Sequence, residues 1–185
     1  VQNSAYLMDM DGNVVHSWTT DNYVPQGASA YLMENGLLYR TVADLNWREL
    51  EGFAAGANGI IEIVDWDSNI LWSFDYGVLG DYCLHHDFAV LPNGNIIAIV
   101  YDINTPDEAK QYGWDKELSS HGVNYTERLI EIKPNLEDGS SQIVWEWDTR
   151  DHLVQDIDST LANYGDVTNP EKINPNFDHR GNMFY

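Results

Sequence analysis

The seven residues from Asp81 to Asp87 read Asp-Tyr-Cys-Leu-His-His-Asp, a thiol, two imidazoles and two carboxylates in one short run. Imidazole changes charge near neutral pH and serves as nucleophile, general acid or general base, and a carboxylate beside it can hold one tautomer. His85 and His86 are therefore candidate catalytic residues, with Asp87 as the group that orients one of them. On an extended strand, alternation puts Cys83, His85 and Asp87 on one face and His86 on the other; in a loop both rings can turn into one cavity. The same residues admit a second chemistry, with Cys83, His85 and Asp87 ligating a transition metal. That spacing is less specific than a CxxC pair or an HExxH helix. They also admit a structural reading, in which one histidine packs and the other caps a turn. A second cluster, Asp151-His152-Leu153-Val154-Gln155-Asp156, nominates His152 and Gln155 as substrate-binding residues, against the reading of a solvated loop.

The elements that must position these groups are strands. Residues 88–100 form an apolar run broken by Leu91-Pro92-Asn93-Gly94-Asn95, which reads as a hairpin, as does Ala30 to Thr41 around Asn35-Gly36. A second hairpin kind alternates with these: Tyr6 to Trp18 around Asp11-Gly12-Asn13, Ile60 to Phe74 with Ser68 where the first has glycine, and Leu129 to Trp147 around Asp138-Gly139. Aligning Tyr31 with Phe88 gives a spacing of 88 − 31 = 57 residues. Two hairpins per period make a four-stranded sheet, so the expected fold is all-β, a β-propeller of four-stranded blades, with a β-sandwich as the rival. Residues 1–185 then form a partial propeller domain of about three blades, fewer than a closed propeller needs. It is either part of something larger or closes with other copies, as a homo-oligomer or filament. A polar insert at 102–126, weakly helical around Asp107 to Gln111, reads as a rim loop, and 148–176 is loop-rich.

The 185 residues include 30 acidic and 9 basic side chains, a formal charge of −21, which repels nucleic acid and anionic membrane surfaces. No apolar run reaches the roughly 20 residues of a spanning helix, so no membrane insertion is expected. Cys83 stands alone and excludes an internal disulfide framework. No cofactor is called for, although Asp9, Asp11, Asp65 and Asp67 beside the turns would admit calcium if they are more than turn formers. Trp18, Trp66, Trp72, Trp145 and Trp147 recur at hairpin ends, which suits packing between sheets. His16 and His121 read as structural or exposed. Asn124-Tyr125-Thr126 fits the N-glycosylation pattern. Both ends read as cut, the last residues, Gly181 to Tyr185, lying in a strand.

Taken together, Tyr6 to Trp18, Leu32-Met33-Glu34-Asn35-Gly36, His85-His86-Asp87 with Leu91-Pro92-Asn93-Gly94-Asn95, and Val144-Trp145-Glu146-Trp147 followed by Asp151 to Asp156 resemble the arylsulfotransferase family. The resemblance covers most of residues 5–168. It implies a secreted or periplasmic six-bladed propeller that moves a sulfuryl group from a phenolic sulfate ester to another phenol without a nucleotide donor, its partners being a small aryl sulfate and a phenol. It further implies that a histidine in the central channel becomes sulfated while other histidines stabilise the developing charge. His85 and His86 match the first channel motif and would bind or polarise the sulfate. The nucleophile-bearing motif lies in later blades, so this chain would supply only part of the site. The alternative is a non-catalytic extracellular propeller that binds or self-assembles.

Overall fold

Short-range hydrogen bonds close the hairpin turns. In a computed structural model, which describes residues 4–22, 28–43, 56–78, 80–115 and 124–177, the Asp9 carboxylate accepts from Asp11 N–H (2.9 Å), Asn13 N–H (2.8 Å) and the Asn13 amide (2.9 Å). Asp65 does the same with Asp67 N–H (2.9 Å), Asn69 N–H (2.8 Å) and the Asn69 amide (2.8 Å). Gly12 takes φ 86° in the first turn and Ser68 takes φ 70° in the second. A serine is strained there, and its hydroxyl compensates by accepting the Thr19 N–H at 3.3 Å. The carboxylates of Asp9 and Asp65 are thus turn formers. Their side chains lie below the usual aspartate value of 3.8, chiefly because of the amides of Asn13 and Asn69.

These turns join β1 (Ser4–Met8) to β2 (Val14–Thr19), and, later, β5 (Ile60–Val64) to β6 (Ile70–Asp75). The other hairpin kind joins β3 (Ala30–Leu32) to β4 (Leu38–Val42). Strands β3-β4-β5-β6 form one antiparallel four-stranded sheet, so two hairpins of different kinds do share a sheet. Both central strands, β4 and β5, are buried throughout, and the outer ones are largely exposed. A five-stranded sheet has the order β11 (Ser141–Asp148), β10 (Asn124–Pro134), β9 (Ile96–Asn104), β8 (Tyr82–Val90), β7 (Gly77–Val78). Strand makes up 51% of the structure, in curled antiparallel sheets, with one short α-helix among the described residues, so the all-β expectation holds.

The chain divides into two compact units: residues 1–79, 83–99 and 130–145, and residues 80–82, 100–129 and 146–185. In the first, Trp18, Leu38 and Val64 form a buried cluster with Ala5 and Leu7 against it. His16 stacks on Trp66 at 3.9 Å, which gives it a structural place. In the second, α1 (Pro106–Ala109) starts at a capping box between Thr105 and Glu108 and runs into a 3-10 turn at Lys110–Tyr112. The flanking strands reach Asn104 and Asn124, so the insert is shorter than the 102–126 read from sequence. Asn124 is buried and its side-chain oxygen accepts the Tyr112 hydroxyl at 3.3 Å, which encloses the glycosylation pattern in the fold. His121 and Gly181 to Tyr185 lie outside the described residues.

Arg40 and Glu62 face each other across β4 and β5, both buried, with Arg40 Nε 2.8 Å from Glu62 Oε2. Arg40 Nη1 also donates to Thr19 O (3.0 Å), and the Asn22 amide donates to Glu62 (2.7 Å). Removing one partner strands the other charge out of water. Glu62→Ala is expected to cost about 3–5 kcal/mol in urea unfolding, and Arg40→Met/Glu62→Leu to recover most of it.

The acidic turns predict a pH dependence. An unfolded aspartate takes up its proton before Asp9 or Asp65 does in the fold, so the turns stabilise fully above 3.8 and lose that contribution as pH falls through the depressed folded values. Between about pH 5 and pH 2 the Tm of Asp9→Asn/Asp65→Asn should fall less steeply than that of the parent.

Candidate functional site

Strand β8 carries the histidine pair, and one residue breaks its alternation. His86 adopts φ 53°, in the left-handed region that a bulky side chain rarely occupies. The side-chain alternation expected of an extended strand is therefore interrupted at His86. Three neighbours in the same unit hold the irregular peptide. His86 N–H donates to Gly56 O (2.8 Å), and the His86 carbonyl accepts from Asn58 Nδ2 (3.0 Å) and Ser29 Oγ (3.3 Å). Ala57 bridges His85 antiparallel on the same flank.

The consequence is that both rings meet. His85 Nδ1 and His86 Nδ1 lie 2.8 Å apart with the ring planes at 83°. At that separation one Nδ1 carries the proton and the other accepts it. The ring that donates then has a lone pair on Nε2, and the ring that accepts has its proton on Nε2. Taking up one further proton turns both Nε2 atoms into donors and leaves the pair with a single positive charge. A second added charge would break the bridge. The arrangement can thus act as base and acid together, or as a paired donor to an anion.

Gly56 is part of this geometry. A Cβ on it would lie 2.6 Å from both Cε1 and Nε2 of His86, and its own φ is 88°. Asn58 is fully buried and its Oδ1 has no hydrogen-bond partner among the described residues.

Asp87 sits differently from the expected orienting carboxylate. Its oxygens accept the Tyr31 hydroxyl at 2.8 and 2.9 Å, and Phe88 N–H at 2.8 Å. Partial burial works to raise its carboxyl, but hydrogen bonds from Phe88, Ser29 and Tyr31 and the charge of His86 outweigh it and hold it below 3.8. The hydrogen bond to Asp87 in turn raises the Tyr31 phenol above 10.0. The two imidazoles meet each other, and Asp87 turns to Tyr31. Cys83 points its sulfur at Leu84 O (2.9 Å). Among the described residues no three His, Cys, Asp or Glu side chains gather as a metal-binding group.

His152 and Gln155 belong to the second unit. His152 stacks on Trp147 at 4.7 Å. Gln155 is fully buried: its amide donates to Asp158 O (2.9 Å) and Asn163 Oδ1 (3.2 Å) and accepts from Ile157 N–H (2.8 Å) and Asp158 N–H (2.7 Å). These bonds tie the loop-rich segment together. A cavity of about 450 Å³ lies in that segment, lined in part by Arg150, Asp151, Tyr164, Asp166 and Lys172. It holds neither His152 nor Gln155. We give the histidine pair priority because it carries the reactive nitrogens, whereas the cavity's two cations and two carboxylates balance.

Ser29, Gly56 and Asn58 were not singled out by sequence. Their one local signal is the Gly56-Ala57-Asn58-Gly59 run, whose glycines flank an asparagine just ahead of β5. The fold and site define an all-β protein of antiparallel hairpins with a paired-imidazole site. No family model matches the chain, and no curated protein matches it.

Gly56→Ala forces a collision with the His86 ring. It should lower stability by about 1–3 kcal/mol and abolish the Nδ1-to-Nδ1 contact, seen by NMR as loss of the bridging imidazole proton that the parent shows.

Proposed function

We propose that His85 and His86 bind and polarise an aryl sulfate ester in nucleotide-independent sulfuryl transfer between phenols, this chain supplying part of the site. The observation that carries the reading is the 2.8 Å contact between the two Nδ1 atoms. Singly protonated, the pair carries one positive charge shared across the bridge, which suits it to an anionic sulfuryl group. In this scheme the nucleophile is a histidine of the later motif, outside this pair: its nitrogen attacks sulfur as the ester S–O bond breaks, and the departing phenolate takes a proton from the pair. A second phenol then attacks that sulfur as the S–N bond breaks and returns its proton to the pair. The resemblance of His85-His86-Asp87 and Leu91 to Asn95 to the arylsulfotransferase motif supports the substrate class, and the hairpin pairs support a propeller of four-stranded blades whose channel the histidines would line. Asp87 joins the site as the carboxylate that the charge of His86 helps to hold low. A formal charge of −21 repels anions at long range, so recognition has to be local.

A second reading, a non-catalytic binding or self-assembling protein, is favoured by one observation: Ile143, Val144 and Trp145 of β11 are all exposed.

Titration with 4-nitrophenyl sulfate, followed by calorimetry and by the imidazole NMR signals, separates the two. The first reading expects binding that shifts both histidines and weakens about 10- to 100-fold in His85→Ala and in His86→Ala, the loss of a charged hydrogen bond. Equal binding by parent and both variants removes it.

A further inference from the structure

The cavity of about 450 Å³ in the second unit has a floor that the backbone builds. Residues 152–155 are held along both edges. Val154 N–H donates to Ile173 O (2.9 Å) and Ile173 N–H to His152 O (3.0 Å), while Gln155 N–H donates to Asn163 O (3.1 Å) and Gly165 N–H to Gln155 O (2.9 Å). Leu153 and Val154, both buried, line the cavity from these fixed positions. Gly165 lets the wall close on that floor, because a Cβ there would lie 3.2 Å from Val154 Cγ2. Tyr164, 51% exposed, adds an aromatic ring. The volume falls in the range of small-molecule clefts, about 300–1,000 Å³.

The rim carries donors and acceptors that the fold leaves unspent. Arg150 uses Nε and Nη2 on Asp148, so its charge is matched and, among the described residues, only Nη1 is left over. Lys172 Nζ reaches the Asp151 carbonyl at a long 3.5 Å and, among the described residues, no carboxylate. Asn169 accepts Glu171 N–H through Oδ1 (3.0 Å), which leaves its NH2 group. Asp166 accepts the Thr168 N–H (2.9 Å) and hydroxyl (2.6 Å) through Oδ1, which leaves Oδ2. The Asp151 carboxylate and the Tyr164 hydroxyl bond nothing among the described residues.

We propose that this cavity binds a short, uncharged saccharide. Each sugar hydroxyl both donates and accepts. That matches a rim offering ammonium, guanidinium and amide donors beside two carboxylates, whereas a ligand of one polarity satisfies one set and strands the other. The C–H face of a pyranose ring lies on the Tyr164 ring, and the Asp151 carboxylate accepts from a pair of neighbouring hydroxyls. Charge argues for a neutral ligand. With Arg150 paired to Asp148, the rim holds one uncommitted cation against two carboxylates, and the formal charge of −21 repels anions. The site shares no residue with the histidine pair and does not depend on sulfuryl transfer.

Titration of the parent with maltose, cellobiose, lactose and diacetylchitobiose, followed by backbone NMR, tests it. At least one disaccharide should shift amides between residues 151 and 172 and leave the imidazole signals of His85 and His86 in place. Its Kd should change less than about twofold as salt is raised, since screening acts on charged pairs. Tyr164→Ala and Asp151→Ala, both at exposed positions, should each weaken binding about tenfold or more, and Tyr164→Phe, which keeps the ring, should weaken it less. The proposal is overturned if none of the disaccharides shifts these amides, or if the shifts persist at full strength in both alanine variants. Tighter binding of glutamate or inorganic phosphate than of the sugars also overturns it. None of these outcomes alters 4-nitrophenyl sulfate binding, so the sulfate reading stands or fails separately.

Discussion

The left-handed peptide at His86 is the constraint on which the site depends. A bulky residue at φ 53° is disfavoured on its own, and it persists because Gly56, Asn58 and Ser29 satisfy its N–H and carbonyl together. Were that peptide extended, alternation would send the two imidazoles to opposite faces and no proton could pass between them. The bulge converts two neighbouring histidines into one unit with a shared proton. Gly56 is required twice in this arrangement, once for its own backbone angle and once because the His86 ring occupies the space of a side chain.

A second regularity concerns where charge is placed. Arg40, Arg128 and Arg150 make ion pairs with Glu62, Asp102 and Asp148, respectively, each inside its own unit. Arg128 meets Asp102 through two contacts of 2.7 Å, a geometry that offsets the loss of hydration. The remaining acidic excess is partly absorbed by turns, where Asp9, Asp65, Asp138, Asp158 and Asp166 accept backbone N–H groups. Negative charge here is in part a means of closing turns.

Much of the strand architecture could be read from residue order. Asp-x-Asp-Gly-Asn and its serine variant, Asn-Gly after apolar runs, and the flanking Val and Ile clusters identify the hairpins because each turn is closed by atoms within about five residues. The insert was legible only as weakly helical around Asp107 to Gln111, and the capping box between Thr105 and Glu108 that starts the helix came from the structure. The loop-rich segment was legible only as irregular. Its order comes from Gln155, whose buried amide gathers residues 157, 158 and 163, and from Gly113, which leaves room for the Gln155 side chain. Asn124 shows the opposite error: a surface modification pattern in sequence that burial encloses.

What residue order alone determined, then, was the set of hairpins and the presence of two adjacent imidazoles beside a carboxylate, since both follow from contacts between near neighbours. Only the tertiary structure decided that the imidazoles face one another and that Asp87 turns to Tyr31. Those outcomes rest on hydrogen bonds from Ser29, 57 residues upstream of His86, and from Asn58, 28 residues upstream. No local pattern encodes a partner that far away, because its position is set by the packing of a whole sheet.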